Sequence, residues 1–374
     1  MPPILVSRPP AARILSGVAD ELLAAVDGGG SLGPAQSVVM VLIDGLGAIP
    51  LRAHAGHARH LTAGMAKKDI AHSVFPTTTA AALTSLVTGA EPGEHGLVGY
   101  EVLDSGRDRI VNQLSGWEEG GLDPVLWQPR PTVFERFVAM QRPAFAVGLA
   151  AYAHSGFTRA TLRGATFVAE RTPADRVAVA YALAADNPGS VVYCYLPEID
   201  KAGHRHGIDS AEWIAALEEI DGALALRVPR DVGVVITADH GMIDVPRHRQ
   251  IVLEPGDARF DGVRHIGGEP RMLHVYREPD AEASALAERW RVLSAGHADV
   301  VTRSEAIDGG LFGPRVTPAA AERIGDVLVI ARGNRAFYDG RDGEQRSQGM
   351  IGQHGALTPE EYHVPFLRRG AFAR

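Results

Sequence analysis

Residues 38–45 read VVMVLIDG, an unbroken apolar run that leads directly into Asp44. The run lacks the alternation of apolar and polar residues that marks a half-exposed strand, so it predicts a strand buried on both faces. Further apolar runs of the same kind follow along the chain, and helical patterns that begin near Pro173 and Ser210 separate the last three of them. Those runs are AFAVGL at 144–149, VVYCYL at 191–196 and VGVVIT at 232–237. The chain is therefore expected to be an α/β protein with a mostly parallel central sheet flanked by helices.

The segment 245–325 differs from the rest of the chain. It has polar, Gly-rich loops, the strand candidates RMLHVY and DVVT, and the helix candidate AEASALAERW. We expect a small α+β cap there, inserted into a catalytic core made of residues 1–244 and 326–374. The run DVLVIA at 326–331 is expected to return the chain to the core sheet.

The composition narrows the classes of partner and of site. The 374 residues include 37 Lys+Arg and 45 Asp+Glu, a net charge of −8, so neither a nucleic-acid polymer nor an anionic membrane surface is expected to bind. No apolar stretch reaches the roughly 18 residues of a membrane span. The N-terminal sequence MPPILVSRPPAARILSG does not read as an export signal, so a cytoplasmic location is expected. Because Cys194 is the only cysteine, a metal site would need His and carboxylate ligands.

Acidic residues follow three of the four apolar runs. Asp44 comes directly after the first run, Asp200 follows the third, and Asp239 follows the fourth. The carboxyl ends of parallel strands meet at one edge of a sheet, where ligands bind. Three neighbouring carboxylates raise one another's pKa unless cations neutralise them. Each acid alone could be a turn or helix-cap residue, but together they predict a metal site.

Histidines accompany these acids. His204 stands four residues after Asp200, so one helical turn can bring both side chains to one ion. His240 follows Asp239 directly, and His354 lies in the glycine-flanked segment GQHGAL. Three Asp and three His suit two divalent ions. Mixed imidazole and carboxylate ligands favour Zn²⁺, with Mn²⁺ as the alternative.

The segment SVFPTTTAAALTSLVTG at 73–89 carries three consecutive threonines before an Ala-rich helical pattern. A threonine at a helix N-terminus can be a structural cap. It can also be a nucleophile, since the helix dipole and a nearby dication would lower the pKa of its hydroxyl. The free N–H groups of the first turn would bind a phosphate oxygen, so even an acidic chain could hold an anion.

These motifs resemble the alkaline phosphatase superfamily, and within it the nucleotide pyrophosphatase/phosphodiesterase family. The matching blocks occur in the family's order: IDGLG, FPTTTAAALTSLVTGAEPGEHGL, DPVLW, YLPEIDKAGHRHG, TADHGM and GQHG. They cover most of the core and little of the cap. The resemblance implies an alkaline-phosphatase-like core and hydrolysis of a phosphodiester or phosphoanhydride in a nucleotide or other small phosphate ester.

The resemblance also implies roles for individual residues. Thr79 corresponds to the nucleophile, which would attack phosphorus in line and form a phospho-threonine that water then hydrolyses. The ligands implied for the zinc that activates this hydroxyl are Asp44, Asp239 and His240, together with Thr79 itself. The ligands implied for the second zinc are Asp200, His204 and His354. Two ions would clamp the attacking and leaving oxygens.

One position departs from the family's pattern. Relatives usually carry an Asn whose amide helps to hold a phosphoryl oxygen, and counting from Thr79 this position is Tyr100. We assign Tyr100 to substrate binding, with a packed wall residue as the alternative reading. Trp117 and Trp127 could stack on a base or pack in the core.

Two alternatives to a phosphodiesterase stay open. A phosphomonoesterase or phosphonate hydrolase could use the same scaffold, and a non-catalytic metal-dependent binding protein could keep the same ligands. No Lys/Arg cluster near the motifs would bind a terminal phosphate dianion, which favours a diester. The oligomeric state stays open.

Overall fold

The computed structural model describes residues 12–341, 343 and 346–373. Its strands are β1 (Ser37–Ile43), β2 (Ile70–His72), β3 (Glu101–Asp104), β4 (Arg109–Asn112), β5 (Ala144–Gly148), β6 (Thr166–Ala169), β7 (Val191–Leu196), β8 (Val232–Thr237), β9 (Ile243–Asp244), β10 (Gln250–Leu253), β11 (Val263–Glu269), β12 (Met272–Arg277), β13 (Ala298–Thr302), β14 (Val327–Ala331), β15 (Ala336–Asp339), β16 (Gly352–Gln353) and β17 (His363–Gly370).

The helices are α1 (Val18–Val26), α2 (Ala48–Ala53), α3 (Arg59–Thr62), α4 (Thr79–Thr88), α5 (Pro92–His95), α6 (Trp117–Gly120), α7 (Pro124–Trp127), α8 (Val133–Ala139), α9 (Gly156–Thr161), α10 (Pro173–Asp186), α11 (Glu198–His206), α12 (Ala211–Ala223), α13 (Ala283–Leu293), α14 (Arg303–Asp308), α15 (Pro318–Arg323) and α16 (Pro359–Tyr362).

A seven-stranded sheet forms the centre of the protein, in the order β2-β17-β8-β1-β7-β5-β6. Strand β1 is buried along its whole length and pairs in parallel with β7 on one side and β8 on the other. Strands β5 and β6 extend the parallel part, whereas β17 runs antiparallel to β8. The four strands expected from the apolar runs are all present, and the prediction of a mostly parallel sheet is confirmed.

The helices that flank this sheet begin where the sequence predicts. Helix α10 starts at Pro173, and helix α12 follows Ser210, whose hydroxyl accepts a hydrogen bond from the Trp213 N–H at 3.1 Å. This bond satisfies one of the free N–H groups of the first turn. Helix α10 packs against β1, β5 and β7. Helix α10 thereby covers one apolar face of the sheet.

A second, four-stranded antiparallel sheet has the order β11-β12-β14-β13 and packs against α13. The strand and helix candidates of the expected cap are therefore present. The expectation for residues 326–331 is wrong, because β14 lies in this second sheet between β12 and β13. The chain returns to the central sheet only at β17. The division into a core and a cap over 245–325 stays a prediction, with β14 beyond its boundary.

Strand β14 resembles a core strand in sequence because its sheet is buried on both faces. Val327 and Val329 pack in the apolar cluster that contains Trp290 of α13. Leu328 and Ile330 belong to a different cluster on the other face. A strand covered on both sides reads as a continuous apolar run, whichever sheet it joins.

A buried ion pair fastens the second sheet to the segment before β17. Arg271 donates from Nε and Nη2 to the two carboxylate oxygens of Glu361, at 2.7 and 2.8 Å, and both side chains are fully buried. Glu361 also accepts the backbone N–H of Ala356 at 3.0 Å. Because Ala356 lies two residues after His354, the ion pair also holds the loop that carries this histidine.

None of the described helices has the length and apolar character needed to cross a bilayer. The expectation about an export signal concerns mainly residues 1–11, which lie outside the described residues.

Arg271→Met should lower the free energy of unfolding by about 3–5 kcal/mol, because it leaves the Glu361 carboxylate buried without its partner. Denaturant titration followed by circular dichroism measures this change. The control is Arg142→Met, which breaks the partly exposed pair with Asp27 and should change stability by less than about 1 kcal/mol. If both variants lost equally little free energy of unfolding, the role assigned to the buried pair would be contradicted.

Candidate active site

Three aspartates meet at the carboxyl edge of the central sheet. Asp44 follows β1, Asp239 lies two residues after β8, and Asp200 lies in α11, which begins two residues after β7. Since β1 lies between β7 and β8, the three carboxylates come from adjacent strands. Gly45 makes the close approach possible: its φ is +73°, and a β-carbon there would lie 3.0 Å from Asp200 Cα. The Gly45 N–H donates to Asp239 Oδ1 at 3.3 Å.

The first cluster consists of Asp44, Asp239 and His240, all buried. Their candidate ligand atoms lie within 4.8 Å of one another. His240 Nε2 is 3.6 Å from Asp44 Oδ1 and 3.5 Å from Asp239 Oδ2. Those two carboxylate oxygens have no hydrogen-bond partner among the described residues. Buried carboxylate oxygens without a donor are costly, and a divalent cation would satisfy them.

The second cluster consists of Asp200, His204 and His354, again with candidate ligand atoms within 4.8 Å of one another. Helix α11 brings Asp200 and His204 together as the four-residue spacing predicts, with His204 Nε2 3.3 Å from Asp200 Oδ1. The two clusters are adjacent, because the rings of His240 and His354 stack with their centroids 3.7 Å apart. The site can therefore hold two cations side by side.

Backbone carbonyls fix the orientation of all three histidines. The Nδ1 atoms of His204, His240 and His354 lie 2.8, 3.1 and 2.9 Å from the carbonyl oxygens of Gly352, Gly241 and Thr77, respectively. A carbonyl only accepts, so each Nδ1 carries the proton and each Nε2 presents a lone pair. This is the arrangement in which imidazole binds a metal ion.

The pKa values reflect the crowding of these groups. Burial raises the pKa of Asp44 well above its usual value, and the nearby charges of Asp239 and Asp200 raise it further. Burial also raises the pKa of Asp239, against the lowering effect of His240. Burial and the neighbouring histidines lower the pKa of His354. Dications would favour ionised carboxylates and neutral imidazoles, so the donor set fits two such ions.

Thr79 is the first residue of α4, and only 8% of it is exposed. Its hydroxyl oxygen is 3.1 Å from His240 Nε2, at the first cluster. Thr78, in extended conformation, precedes the helix and makes no side-chain capping bond. The Thr79 hydroxyl thus combines a helix N-terminus with the candidate metal ligands, as the sequence led us to expect.

A cavity of about 440 Å³ opens beside Thr79, Asp44 and Asp200. Apolar and aromatic side chains form most of its wall, among them Leu83, Tyr152, Phe157, Phe167, Tyr193 and Tyr195. Lys201 is the cationic residue of the lining, while Glu118 forms an ion pair with Arg159 at 2.7 Å. The cavity suits an organic group with little charge next to the metal ligands.

Tyr195 links this wall to the first cluster, a role that the sequence analysis missed. Its hydroxyl donates a hydrogen bond to Asp44 Oδ2, and burial raises the pKa of the phenol, which keeps the proton in place. Tyr195 pairs with Leu42 across β7 and β1, and Asp44 lies two residues after Leu42. This register brings the side chains of Tyr195 and Asp44 together. Only the register of the sheet could have revealed this contact.

Tyr100, expected to bind substrate, is not among the described residues that line the cavity. It precedes the hairpin β3–β4, and its carbonyl accepts the Gln113 N–H at 2.7 Å. Its role stays a prediction that the cavity does not support. Trp117 is buried in an apolar cluster, and Trp127 packs beneath the Arg323 guanidinium at 3.7 Å from the ring centre. Core packing therefore accounts for Trp117, while the choice between packing and stacking stays open for the half-buried Trp127.

A parallel sheet whose strand ends bear two adjacent Asp/His clusters, with a hydroxyl at a helix N-terminus beside them, defines a class of hydrolase that acts on phosphoric esters. The family model described as type I phosphodiesterase / nucleotide pyrophosphatase matches residues 38–357. The chain belongs to this family, which lies in the alkaline phosphatase superfamily. No curated protein matches the chain.

Solved structures share the fold at low sequence identity. Murine ectonucleotide pyrophosphatase/phosphodiesterase 5 is 17% identical with a TM-score of 0.68, over 90% of this chain and 88% of that chain. An inactive variant of the same murine protein, in complex with AMP, has a TM-score of 0.65. Phosphonoacetate hydrolase from Sinorhizobium meliloti 1021, in complex with phosphonoformate, is 19% identical with a TM-score of 0.68, over 89% of this chain and 90% of that chain.

Protein stripped with a chelator should bind two Zn²⁺ per chain and gain about 2.7 kcal/mol of stability from each site at a free concentration 100 times its Kd. Asp239→Asn should reduce the stoichiometry from two to one. Elemental analysis and calorimetric unfolding measure the two effects. The exposed Asp231→Asn is the control and should behave as the wild type. Stoichiometry below one in the wild type would rule out the two clusters as metal sites.

Proposed function

We propose that the protein is a two-zinc phosphodiesterase or nucleotide pyrophosphatase that works through a covalent phospho-threonine on Thr79. The observation that carries the proposal is the Thr79 hydroxyl, 3.1 Å from His240 Nε2 at the N-terminus of α4. Asp44, Asp239 and His240 would hold one ion, and Asp200, His204 and His354 would hold the other. Mn²⁺ is the alternative metal, since it shares these ligand types.

The reaction has two steps, each an in-line displacement at phosphorus. The Thr79 hydroxyl gives up its proton, and Oγ1 forms a bond to phosphorus while the bond to the leaving oxygen breaks and that oxygen takes up a proton. Water then loses a proton and bonds to phosphorus, the bond between phosphorus and Oγ1 breaks, and Thr79 regains its proton. Bound dications supply Lewis-acid stabilisation and lower the pKa of hydroxyl and water. The first N–H groups of α4 have no partner within the helix and can hold a non-bridging oxygen. Tyr195 keeps Asp44 oriented through its hydrogen bond.

The cavity supports a diester over a monoester. Its wall is mostly apolar, and a dianionic terminal phosphate would meet Lys201 as the one cationic side chain among the described lining residues. An ester group in the cavity leaves a single negative charge on phosphorus. An organic phosphodiester, or a nucleotide cleaved at a phosphoanhydride, places an organic group in the cavity and a single negative charge on the reacting phosphorus.

A phosphonate hydrolase is the second candidate. Lys201 makes no ion pair among the described residues, and its Nζ lies 5.5 Å from the centre of the Tyr152 ring. It could bind a carboxylate on a small phosphonate substrate. The fold shared with phosphonoacetate hydrolase is compatible with this activity.

Thr79→Ala should reduce kcat on bis(p-nitrophenyl) phosphate by on the order of 10³-fold or more, because it removes the attacking oxygen. Thr79→Ser keeps a hydroxyl and should retain measurable turnover. Zinc content is measured alongside, and the six Asp and His ligands should still hold it. A fully active Thr79→Ala variant would refute the nucleophile, and a wild type inert towards every phosphate ester would favour a binding protein.

The two candidate activities separate on a panel of bis(p-nitrophenyl) phosphate, p-nitrophenyl phosphate and phosphonoacetate. We expect kcat/KM for the diester to exceed that for the monoester by about tenfold or more, since the apolar wall favours an ester group over a second negative charge. Lys201→Ala should leave diester turnover nearly unchanged. Preference for phosphonoacetate, lost in Lys201→Ala, would instead establish the phosphonate hydrolase.

A further inference from the structure

Glu269 ends β11 in the second sheet and reaches the central site from outside both ligand clusters. Only 7% of the residue is exposed. Its Oε2 lies 3.4 Å from His354 Nδ1, whose proton is donated to the Thr77 carbonyl at 2.9 Å. Its Oε1 is buried and has no hydrogen-bond partner among the described residues. Neither the sequence motifs nor the two ligand clusters account for this carboxylate.

The backbone around His354 makes room for Glu269. Gly355 has a φ of +122°, and a β-carbon there would lie 2.6 Å from Glu269 Cγ. Any other residue at 355 would push the carboxylate away from the histidine. The space is therefore shaped for the contact between Glu269 and the His354 loop.

Arg271, two residues further along the chain, lowers the pKa of Glu269 through its charge but makes no hydrogen bond to it among the described residues. Its Nε and Nη2 bind Glu361, and its Nη1 donates to the Arg335 carbonyl at 2.5 Å. The ion pair instead holds the β11–β12 turn against the segment 354–361. An ionised carboxylate buried without a bonded cation is destabilising, and burial raises the pKa of Glu269 well above its usual value. The polar groups that face it are the Nδ1–H of His354 and the side chain of Thr78.

We propose that Glu269 is a positioning residue for His354, forming a carboxylate–histidine–metal relay to the second ion. The carboxylate next to Nδ1–H would assist the Thr77 carbonyl in holding the ring and would make Nε2 a stronger donor to the metal. The second sheet thereby takes part in building the metal centre. This inference rests on the proposed function, because it requires an ion at the second cluster.

The test measures zinc affinity rather than turnover. Full-length protein is stripped of metal, and the two dissociation constants for Zn²⁺ are determined by competition with a chromophoric chelator. Glu269→Gln keeps the shape and removes the charge, and it should weaken one of the two sites by about 10–100-fold while leaving the other unchanged. Glu269→Asp keeps the charge at a longer distance and should recover part of that loss.

Glu101→Gln is the matched control. Glu101 is a neighbouring carboxyl whose charge acts on Glu269, but it bonds to Asn112 and to no histidine of the site. Its removal should leave both affinities within about threefold of the wild type, because the His354 relay is intact. If Glu269→Gln also left both zinc affinities within about threefold of the wild type, the proposal would be overturned while the two-metal function stayed intact.

Two further outcomes distinguish a failure of the proposed function from a failure of the role given to Glu269. Wild-type protein that binds no zinc refutes the proposed function itself, independently of Glu269. If Glu269→Gln does not fold, Glu269→Asp becomes decisive. In that variant one site should weaken by more than about threefold if the carboxylate orients His354, and unchanged affinities overturn the proposal.

Discussion

The crowding of carboxylates at one edge of the central sheet is the constraint on which the rest of the structure depends. Parallel pairing of β1 with both β7 and β8 brings Asp44, Asp200 and Asp239 together. Oxygens of all three lack hydrogen-bond partners among the described residues. Leaving such charges buried and unpaired would cost several kcal/mol for each ion. Protons or dications must therefore neutralise them, and the histidines favour dications.

The surrounding structure prepares the site for those ions. Backbone carbonyls fix the proton of each histidine on Nδ1, so the lone pairs face the carboxylates. Helix α4 begins at Thr79 and directs its free N–H groups and a hydroxyl to the same place. The buried pair of Arg271 and Glu361 holds the His354 loop against the second sheet. A net charge of −8 does not describe this cleft, because bound dications would dominate its local field.

Local sequence patterns predicted those features of the fold and the site that depend on residues close together in the chain. The strands follow from unbroken apolar runs, and the contact between Asp200 and His204 follows from one helical turn. Long-range packing decided the rest. Strand β14 reads like a core strand because both faces of the second sheet are covered. The contact of Tyr195 with Asp44 depends on the register between β1 and β7. The role expected for Tyr100 rests on counting along the chain and stays a prediction.

The two-metal centre can be tested by anomalous X-ray diffraction from crystals grown with zinc, recorded on both sides of the zinc absorption edge. We expect two adjacent anomalous peaks. One should lie among Asp44, Asp239 and His240, and the other among Asp200, His204 and His354. A single peak, peaks bound elsewhere, or clusters without metal at saturating zinc would contradict a two-metal centre.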